Sequence, residues 1–271
     1  MRIDVGEVIE ARLPRASRWI PRRMVRWLED YICQDRLNQL LERHGHLRGA
    51  DFARAVIDDL GITFDVAGTR PDPEKRRVIF ASNHPLGGLD GLVLASMVKE
   101  LYGGRGEMKF VVNDLLTFVE PLRDIFLGVN KHGAQSRESA RAIDEAFGSD
   151  VPMLMFPAGL CSRQGPDGQV KDLEWQKMIV NKAISSERDV IPVHFSGENS
   201  RFFYKFANLR KRLGLKFNIE MLRLPREMFL NEGSHFTVTL GPPIGWQRLH
   251  GGPNAQAQAN VLRETVYKLR P

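Results

Sequence analysis

The segment Val78-Ile-Phe-Ala-Ser-Asn-His-Pro-Leu-Gly-Gly-Leu-Asp-Gly-Leu92 decides the fold of this 271-residue chain. Its first residues are apolar, as in a buried strand, and its last residues begin a helical pattern. Pro85 disfavours a helical conformation at His84, and the two adjacent glycines allow a tight turn. The segment therefore predicts a strand, a tight loop and a helix, with His84 at the start of the loop and Asp90 at the start of the helix.

Short apolar segments on both sides of this one alternate with helical patterns. Such alternation is typical of an α/β fold, here with a mixed, largely parallel sheet flanked by helices. The predicted strands are residues 62–66, 78–82, 109–112, 152–156, 190–195 and 236–240. The predicted helices of this part are residues 89–101, 137–147, 173–186, 200–213 and 255–269, and Ser136 is the predicted N-cap of the second.

Residues 1–61 form a predicted N-terminal helical region, which precedes a predicted α/β domain at residues 62–271. Apolar side chains recur in this region at three- and four-residue intervals, and Gly61 ends the last helical pattern. Two segments, residues 12–27 and 201–216, interleave Arg or Lys with Trp or Phe. Cations beside aromatic anchors fit an anionic membrane surface; the alternative is that the aromatic side chains face the core while the cations face water.

Composition and charge limit the class of protein. The chain has 42% hydrophobic and 27% charged residues and a formal net charge of +6, and it lacks the ~20 consecutive apolar residues that cross a bilayer. The positive charge favours anionic partners, but no nucleic-acid-binding signature is present, so nucleic acid is not expected. Because there is no secretion signal and two cysteines cannot build a disulfide framework, we expect a cytoplasmic protein, peripheral on the inner face of the cell membrane. The seven histidines are scattered and predict no metal site.

His84 and Asp90 are suited to proton transfer. An aspartate that accepts one ring N–H fixes the histidine tautomer and stabilises the imidazolium, which leaves the other nitrogen to take a proton from a hydroxyl. The hydroxyl would belong to a substrate, because the Gly-x-Ser-x-Gly element of serine hydrolases is absent. The alternative is a histidine at a strand end, beside an aspartate that only favours the start of a helix.

Three blocks of sequence resemble the glycerophospholipid acyltransferase superfamily, which includes glycerol-3-phosphate and lysophosphatidate acyltransferases. Asn83-His84, followed by Asp90, resembles the first block of that family. Phe156-Pro-Ala-Gly-Leu-Cys-Ser-Arg163 resembles its Phe-Pro-Glu-Gly-Thr-Arg-Ser element, and Val190-Ile-Pro-Val193 resembles a later proline-containing block. These variants of the blocks, together with Asp172-Leu-Glu-Trp175, look like a bacterial branch related to enzymes that O-acylate lyso forms of aminoacyl lipids or lysophospholipids.

The resemblance implies transfer of a fatty acyl group from a coenzyme A or acyl-carrier-protein thioester to the hydroxyl of a lyso-lipid, without a cofactor or metal. It implies that His84 is the general base and that Asp90 orients it. The substrate-binding residues that it implies are Asn83, Gly87, Gly88, Lys131, Phe156, Pro157, Gly159, Ser162 and Arg163. Backbone amides of the two glycine loops are candidate donors to the oxyanion. Cys161 is expected to be a spectator thiol, and His194 a packed or surface histidine.

The sequence departs from the family pattern in both main blocks. Five residues instead of four separate His84 from Asp90, and Lys131 stands near the place of a phosphate-binding Arg. Ala158 and Leu160 replace the family's Glu and Thr, which argues against simple glycerol-3-phosphate or lysophosphatidate specificity. Two alternatives stay open beside the acyltransferase: a hydrolase of thioesters or esters, and a basic module that binds anionic lipid or nucleic acid without chemistry.

Overall fold

The computed structural model describes residues 2–12, 14, 19–103, 108–113, 119–129, 137–215 and 217–271. Its α-helices are α1 Val5–Arg12, α2 Arg22–Tyr31, α3 Gln34–His44, α4 Gly49–Asp59, α5 Leu89–Leu101, α6 Arg137–Gly148, α7 Met178–Ser185, α8 Arg201–Arg212, α9 Leu224–Leu230 and α10 Ala255–Tyr267. Its strands are β1 Thr63–Gly68, β2 Val78–Ser82, β3 Lys109–Asn113, β4 Phe126–Val129, β5 Met153–Met155, β6 Arg163–Gln164, β7 Val170–Lys171, β8 Asp189–Phe195 and β9 His235–Leu240. A 3₁₀ helix, Ile219–Arg223, immediately precedes α9.

Seven strands form one sheet in the order β1-β9-β8-β2-β5-β3-β4. All neighbouring strands in it run parallel except β8 and β9. The short strands β6 and β7 form a separate hairpin. The predicted α/β fold, with a mixed, largely parallel sheet, flanking helices and helices at the N-terminus, is therefore confirmed.

Strand β2 lies inside the sheet and is buried on both faces, which explains its unbroken apolar sequence. Val78 and Phe80 belong to the core that the sheet shares with α4 and α5. Ile79 and Ala81 belong to the core on the opposite face, which contains side chains of α6, α7 and α10. Because ligands of open α/β sheets bind at the carboxyl ends of the strands, β2 delivers His84 to the edge where a site is expected.

The N-terminal helices pack against the rest of the chain. Phe52 and Ile57 of α4 are buried in the same core as Leu94 of α5. No helix within the described ranges is both long and apolar enough to span a membrane. The division into residues 1–61 and residues 62–271 stays a prediction.

Some elements were not predicted by the local pattern. Strand β4 is only four residues long and contains Gly128, so its pairing with β3, rather than its own sequence, defines it. The hairpin of β6 and β7 and the short helix α9 were also not predicted, because elements this short show no periodic pattern in the sequence. The predicted helix at 173–186 was wrong in its first turn, because the Trp175 indole N–H donates to the Asp172 carboxylate at 2.8 Å and α7 begins only at Met178.

Candidate active site

His84 and Asp90 meet at the carboxyl end of β2. His84 follows the strand, Asp90 lies in the first turn of α5, and 3.0 Å separates the histidine Nδ1 from the aspartate Oδ2. The Asp90 side chain is fully buried, while 13% of the His84 side chain is exposed. The predicted contact is therefore present, although five residues instead of four separate the two.

Backbone amides hold the Asp90 carboxylate in place. Its Oδ2 accepts hydrogen bonds from the N–H groups of Leu86 at 2.9 Å and Gly87 at 3.3 Å, and its Oδ1 accepts one from Gly91 at 2.9 Å. These donors and the start of a helix both stabilise negative charge. An ionised carboxylate only accepts hydrogen bonds, so it selects the His84 tautomer that carries its proton on Nδ1.

Of the two glycines in the loop, Gly87 is the one that the turn requires. Its φ of +76° lies in the left-handed region, and a Cβ at this position would lie 2.6 Å from Cδ1 of Leu224. Gly88 has an extended φ of −168°, and a Cβ there would meet nothing within 4 Å. Gly88 therefore borders open space at the start of α5.

The His84 ring stacks on Phe156. The ring centroids are 3.8 Å apart and the planes are inclined by 18°. Phe156 directly follows β5, the neighbour of β2, so the sheet brings the first and second sequence blocks together. No described residue hydrogen-bonds to Nε2 of His84. This nitrogen is thus free to meet a hydroxyl at the exposed edge of the ring.

A second buried carboxylate, that of Asp172, also holds the His84 loop. Its Oδ1 accepts hydrogen bonds from the backbone N–H of His84 at 3.1 Å and the hydroxyl of Ser162 at 2.6 Å, and its Oδ2 accepts from the Trp175 indole. The backbone N–H of Ser162 also donates to the His84 carbonyl at 2.7 Å. Burial raises the pKa of the Asp172 carboxyl. Asp172-Leu-Glu-Trp175 was one of the motifs that resemble the bacterial branch, but the sequence assigned Asp172 no function in the site, because its partners His84 and Ser162 are distant in the chain.

Replacing Asp172 with alanine is expected to lower the free energy of unfolding by about 3 to 5 kcal/mol, since three buried donors lose their acceptor. Denaturant unfolding followed by circular dichroism measures the change. Asp167→Ala, in the exposed turn between β6 and β7, is the matched control and should cost less than about 1 kcal/mol. Equal stabilities of the two variants would contradict the assigned network.

Asn83 and Ser162 are already engaged by the protein. The Asn83 side chain accepts from the backbone N–H of Phe195 at 2.7 Å and donates to the Phe195 carbonyl at 3.0 Å, which ties the end of β2 to the end of β8. The Ser162 hydroxyl donates to Asp172. These contacts give both residues a positioning function in the fold, and their binding of substrate stays a prediction.

Arg163 is paired with a buried carboxylate. Its guanidinium lies 2.9 Å from Oε1 of Glu220, which is fully buried, and donates to the carbonyl of Cys161 at 2.8 Å. Arg210 approaches the other oxygen of Glu220 at 2.8 Å. The two arginines together leave this cluster one positive charge in excess. A substrate phosphate or headgroup at Arg163, which stays a prediction, would have to share the guanidinium with Glu220.

The remaining predicted residues are placed as follows. Pro157 follows Phe156, and its carbonyl accepts the backbone N–H of Gln176 at 2.9 Å. Gly159 adopts a φ of +66°, and its N–H donates to the Phe156 carbonyl at 2.9 Å. Lys131 lies outside the described residues, as does the predicted N-cap Ser136.

Cys161 lies in the second block but is fully buried. Burial raises the pKa of its thiol to about 11, against the opposing effect of Arg163. A thiol in this state is a poor nucleophile at neutral pH. We expect Cys161→Ala to keep its acyl-transfer rate within about threefold of the unmodified protein, as a neutral core substitution would. A folded variant without activity, measured by thiol release, would make Cys161 a participant.

A cavity of about 310 Å³ borders the residues on either side of His84 in the chain. Its lining includes Asn83, Pro85, His194 and Tyr267 but neither His84 nor Asp90. His194 is buried, and this burial lowers its pKa to about 4, so it is a packed, neutral histidine at pH 7. The cavity is therefore lined by chain neighbours of His84 but not by the two proton-transfer groups themselves.

Comparison with known proteins assigns the chain to a family. Residues 7–271 match the family described as Acyltransferase. Two curated proteins named lyso-glycine lipid O-acyltransferase, from Phocaeicola vulgatus and Bacteroides thetaiotaomicron, are each 40% identical to this chain over 267 residues. These alignments cover 98% of this chain and 95% and 97% of the two relatives, respectively.

A crystal structure of the 1-acyl-sn-glycerophosphate acyltransferase of Thermotoga maritima aligns with a TM-score of 0.45 and 16% identity, over 90% of this chain and 95% of that one. The match over residues 7–271 and the two relatives confirm the resemblance that the sequence blocks indicated. The chain therefore belongs to the acyltransferase family and is an enzyme.

Proposed function

We propose that this enzyme transfers a fatty acyl group from a coenzyme A or acyl-carrier-protein thioester to the hydroxyl of a lyso-lipid. The observation that carries the proposal is the 3.0 Å contact between His84 and the buried Asp90, beside a free ring nitrogen. The two relatives that are named for the O-acylation of lyso-glycine lipid support a lyso-aminolipid as the acceptor. The replacement of the family's Glu by Ala158 fits an acceptor other than lysophosphatidate.

His84 acts as general base in the proposed reaction. Its Nε2 takes the proton of the acceptor hydroxyl while the hydroxyl oxygen attacks the thioester carbonyl carbon, and Asp90 stabilises the imidazolium that forms. The tetrahedral intermediate then collapses, the carbon–sulfur bond breaks, and the imidazolium returns its proton to the departing thiolate. The acyl group passes directly between the two substrates, because the buried, high-pKa Cys161 is unsuited to carry it.

The oxyanion of the intermediate needs a hydrogen-bond donor, and among the three loop glycines Gly87, Gly88 and Gly159 one N–H is a candidate. The N–H of Gly87 donates to Asp90, and the N–H of Gly159 donates to the Phe156 carbonyl. No described residue accepts from the N–H of Gly88, which borders open space at the start of α5. A donor at a helix start also adds the favourable dipole of that helix, so we assign this function to Gly88.

The proposed location is the cytoplasmic side of the cell membrane, where the protein is peripheral. Its net charge of +6 favours an anionic surface. A lipid acceptor is available to an enzyme of this kind only at a membrane or in a dispersed state. An acyl carrier protein is a further proposed partner, because an acidic donor protein fits the net positive charge of the chain.

The test is the release of free thiol from a long-chain acyl thioester, with product analysis by mass spectrometry. Thiol release that requires lyso-glycine lipid, together with an O-acylated product, supports the proposal. Free fatty acid formed at the same rate without an acceptor would show a hydrolase. No turnover, with salt-dependent binding to random duplex DNA, would show a basic binding module.

A further inference from the structure

One segment of the protein carries most of the exposed large apolar side chains among the described residues. Fourteen large apolar side chains are exposed among the residues that the structure describes, and eight of them lie within residues 201–230. These eight are Phe202, Leu209, Leu213, Leu215, Phe217, Ile219, Leu222 and Leu230. Phe217 is 85% exposed. Such a concentration is unusual on a protein that meets only water.

The same segment carries a strong positive charge. Residues 201–230 contain eight Lys or Arg and two Glu, a net charge of +6 that equals the net charge of the whole chain. Both glutamates are buried: Glu220 pairs with Arg163 and Arg210, and Glu227 pairs with Arg223. The solvent-facing part of the segment is therefore apolar and cationic, without an exposed carboxylate.

Helix α9 brings the N-terminal helices to this surface. Arg226 of α9 donates to the Asp30 carbonyl of α2 at 3.0 Å, and the Arg36 guanidinium of α3 lies 4.0 Å from the centroid of the Phe229 ring. Helix α2 and the residues before it expose Trp19, Met24 and Trp27. The two basic-aromatic segments identified in the sequence are thus linked through α9. Arg15, Arg18 and Lys216 of these segments lie outside the described residues.

This surface adjoins the candidate active site. The Leu224 side chain lies against Gly87 of the His84 loop, as the close approach of its Cδ1 shows. Glu220, four residues earlier, pairs with Arg163 of the second block. A lipid that entered from this surface would therefore arrive beside both loops of the site.

We propose that residues 201–230, together with Trp19, Met24 and Trp27, form a docking face for a bilayer with anionic headgroups. The proposal rests on the proposed function, in which the acceptor is a lipid. A bilayer accounts for both properties of the face, because headgroups match the cations and the apolar phase takes up the Phe, Trp and Leu side chains. An acidic carrier protein would match the cations alone.

Charge reversal tests the electrostatic part of the docking face. Lys205, Lys211 and Arg212 are exposed, and no carboxylate of a described residue pairs with them. Replacing all three with glutamate is expected to lower partitioning onto phosphatidylglycerol vesicles about a hundredfold. The control replaces three exposed cations elsewhere, Arg70, Lys75 and Arg248, with glutamate. It has the same net charge, and its partitioning should stay within about threefold of the unmodified protein.

Removal of exposed apolar side chains tests the apolar part of the docking face. Leu213→Ser combined with Phe217→Ser is expected to weaken binding to mixed phosphatidylcholine and phosphatidylglycerol vesicles by about tenfold or more. Val261→Ser on α10, an exposed apolar residue away from the segment, should have no effect. Vesicle flotation without substrates measures both series. Equal binding by the docking-face and control variants would overturn the proposal.

Activity on a lyso-lipid dispersed in detergent separates this proposal from the proposed function. Loss of vesicle binding with retained transfer to the dispersed acceptor supports the docking face. Unchanged vesicle binding, with a slower rate only when an acyl carrier protein is the donor, would assign the cations to the carrier and overturn the proposal. If the unmodified protein transfers no acyl group to any acceptor, the proposed function fails, and vesicle flotation still decides for or against the face.

Discussion

The His84→Ala variant is expected to lose acyl transfer by about 10²- to 10⁴-fold while it keeps its fold, since it lacks the base that accepts the hydroxyl proton. Thiol release at saturating donor and acceptor measures the loss. The effect should fall on kcat, because the ring interacts most strongly with the substrate in the transition state. The fold is expected to persist because 13% of the His84 side chain is exposed, so the space left by the ring opens to solvent.

A second histidine–aspartate pair in the chain provides the matched control. His235 of β9 lies 3.3 Å from Asp65 of β1, and both side chains are largely exposed. His235→Ala should keep its full rate. If His84→Ala and His235→Ala are equally active, the imidazole of His84 has no part in the reaction.

The Asp90→Asn variant is expected to lose about a hundredfold or more in kcat, because the amide cannot stabilise the imidazolium and cannot satisfy all the donors around it. If the amide oxygen stays toward His84, the NH₂ group meets the N–H of Gly91; if it turns, the NH₂ group meets the His84 ring and the N–H of Leu86. Steady-state kinetics with thermal unfolding as a stability control measure the effect. Asp65→Asn is the matched control, and a rate of Asp90→Asn within threefold of that control would remove Asp90 from the account.

The segment around His84 could be predicted from the sequence because its determinants are local. Four apolar residues, a proline, two glycines and a helical pattern follow each other within fifteen residues, and each favours the conformation found. The contact of His84 with Asp90 follows from the same short loop. The sheet could be predicted as largely parallel because its strands are short, apolar and separated by helices.

Other parts of the site could not be predicted because they depend on contacts between distant residues. Asp172 reaches His84 across 88 residues of chain, and Arg163 reaches Glu220 across 57. A single sequence shows the charge of Arg163 but not the carboxylate that pairs with it. The proposed docking face could be predicted only in part from the sequence. The segment at residues 217–230 links the two basic-aromatic segments, but it is a short helical region without a strong pattern of its own.

The most direct test of the account is a single turnover with enzyme in excess over lyso-glycine lipid, in which mass spectrometry follows the O-acylated product. The unmodified protein is predicted to convert the acceptor with one thiol released for each ester formed, and His84→Ala is predicted to leave the acceptor unchanged over the same period. Formation of the ester by His84→Ala at the rate of the unmodified protein would contradict the account.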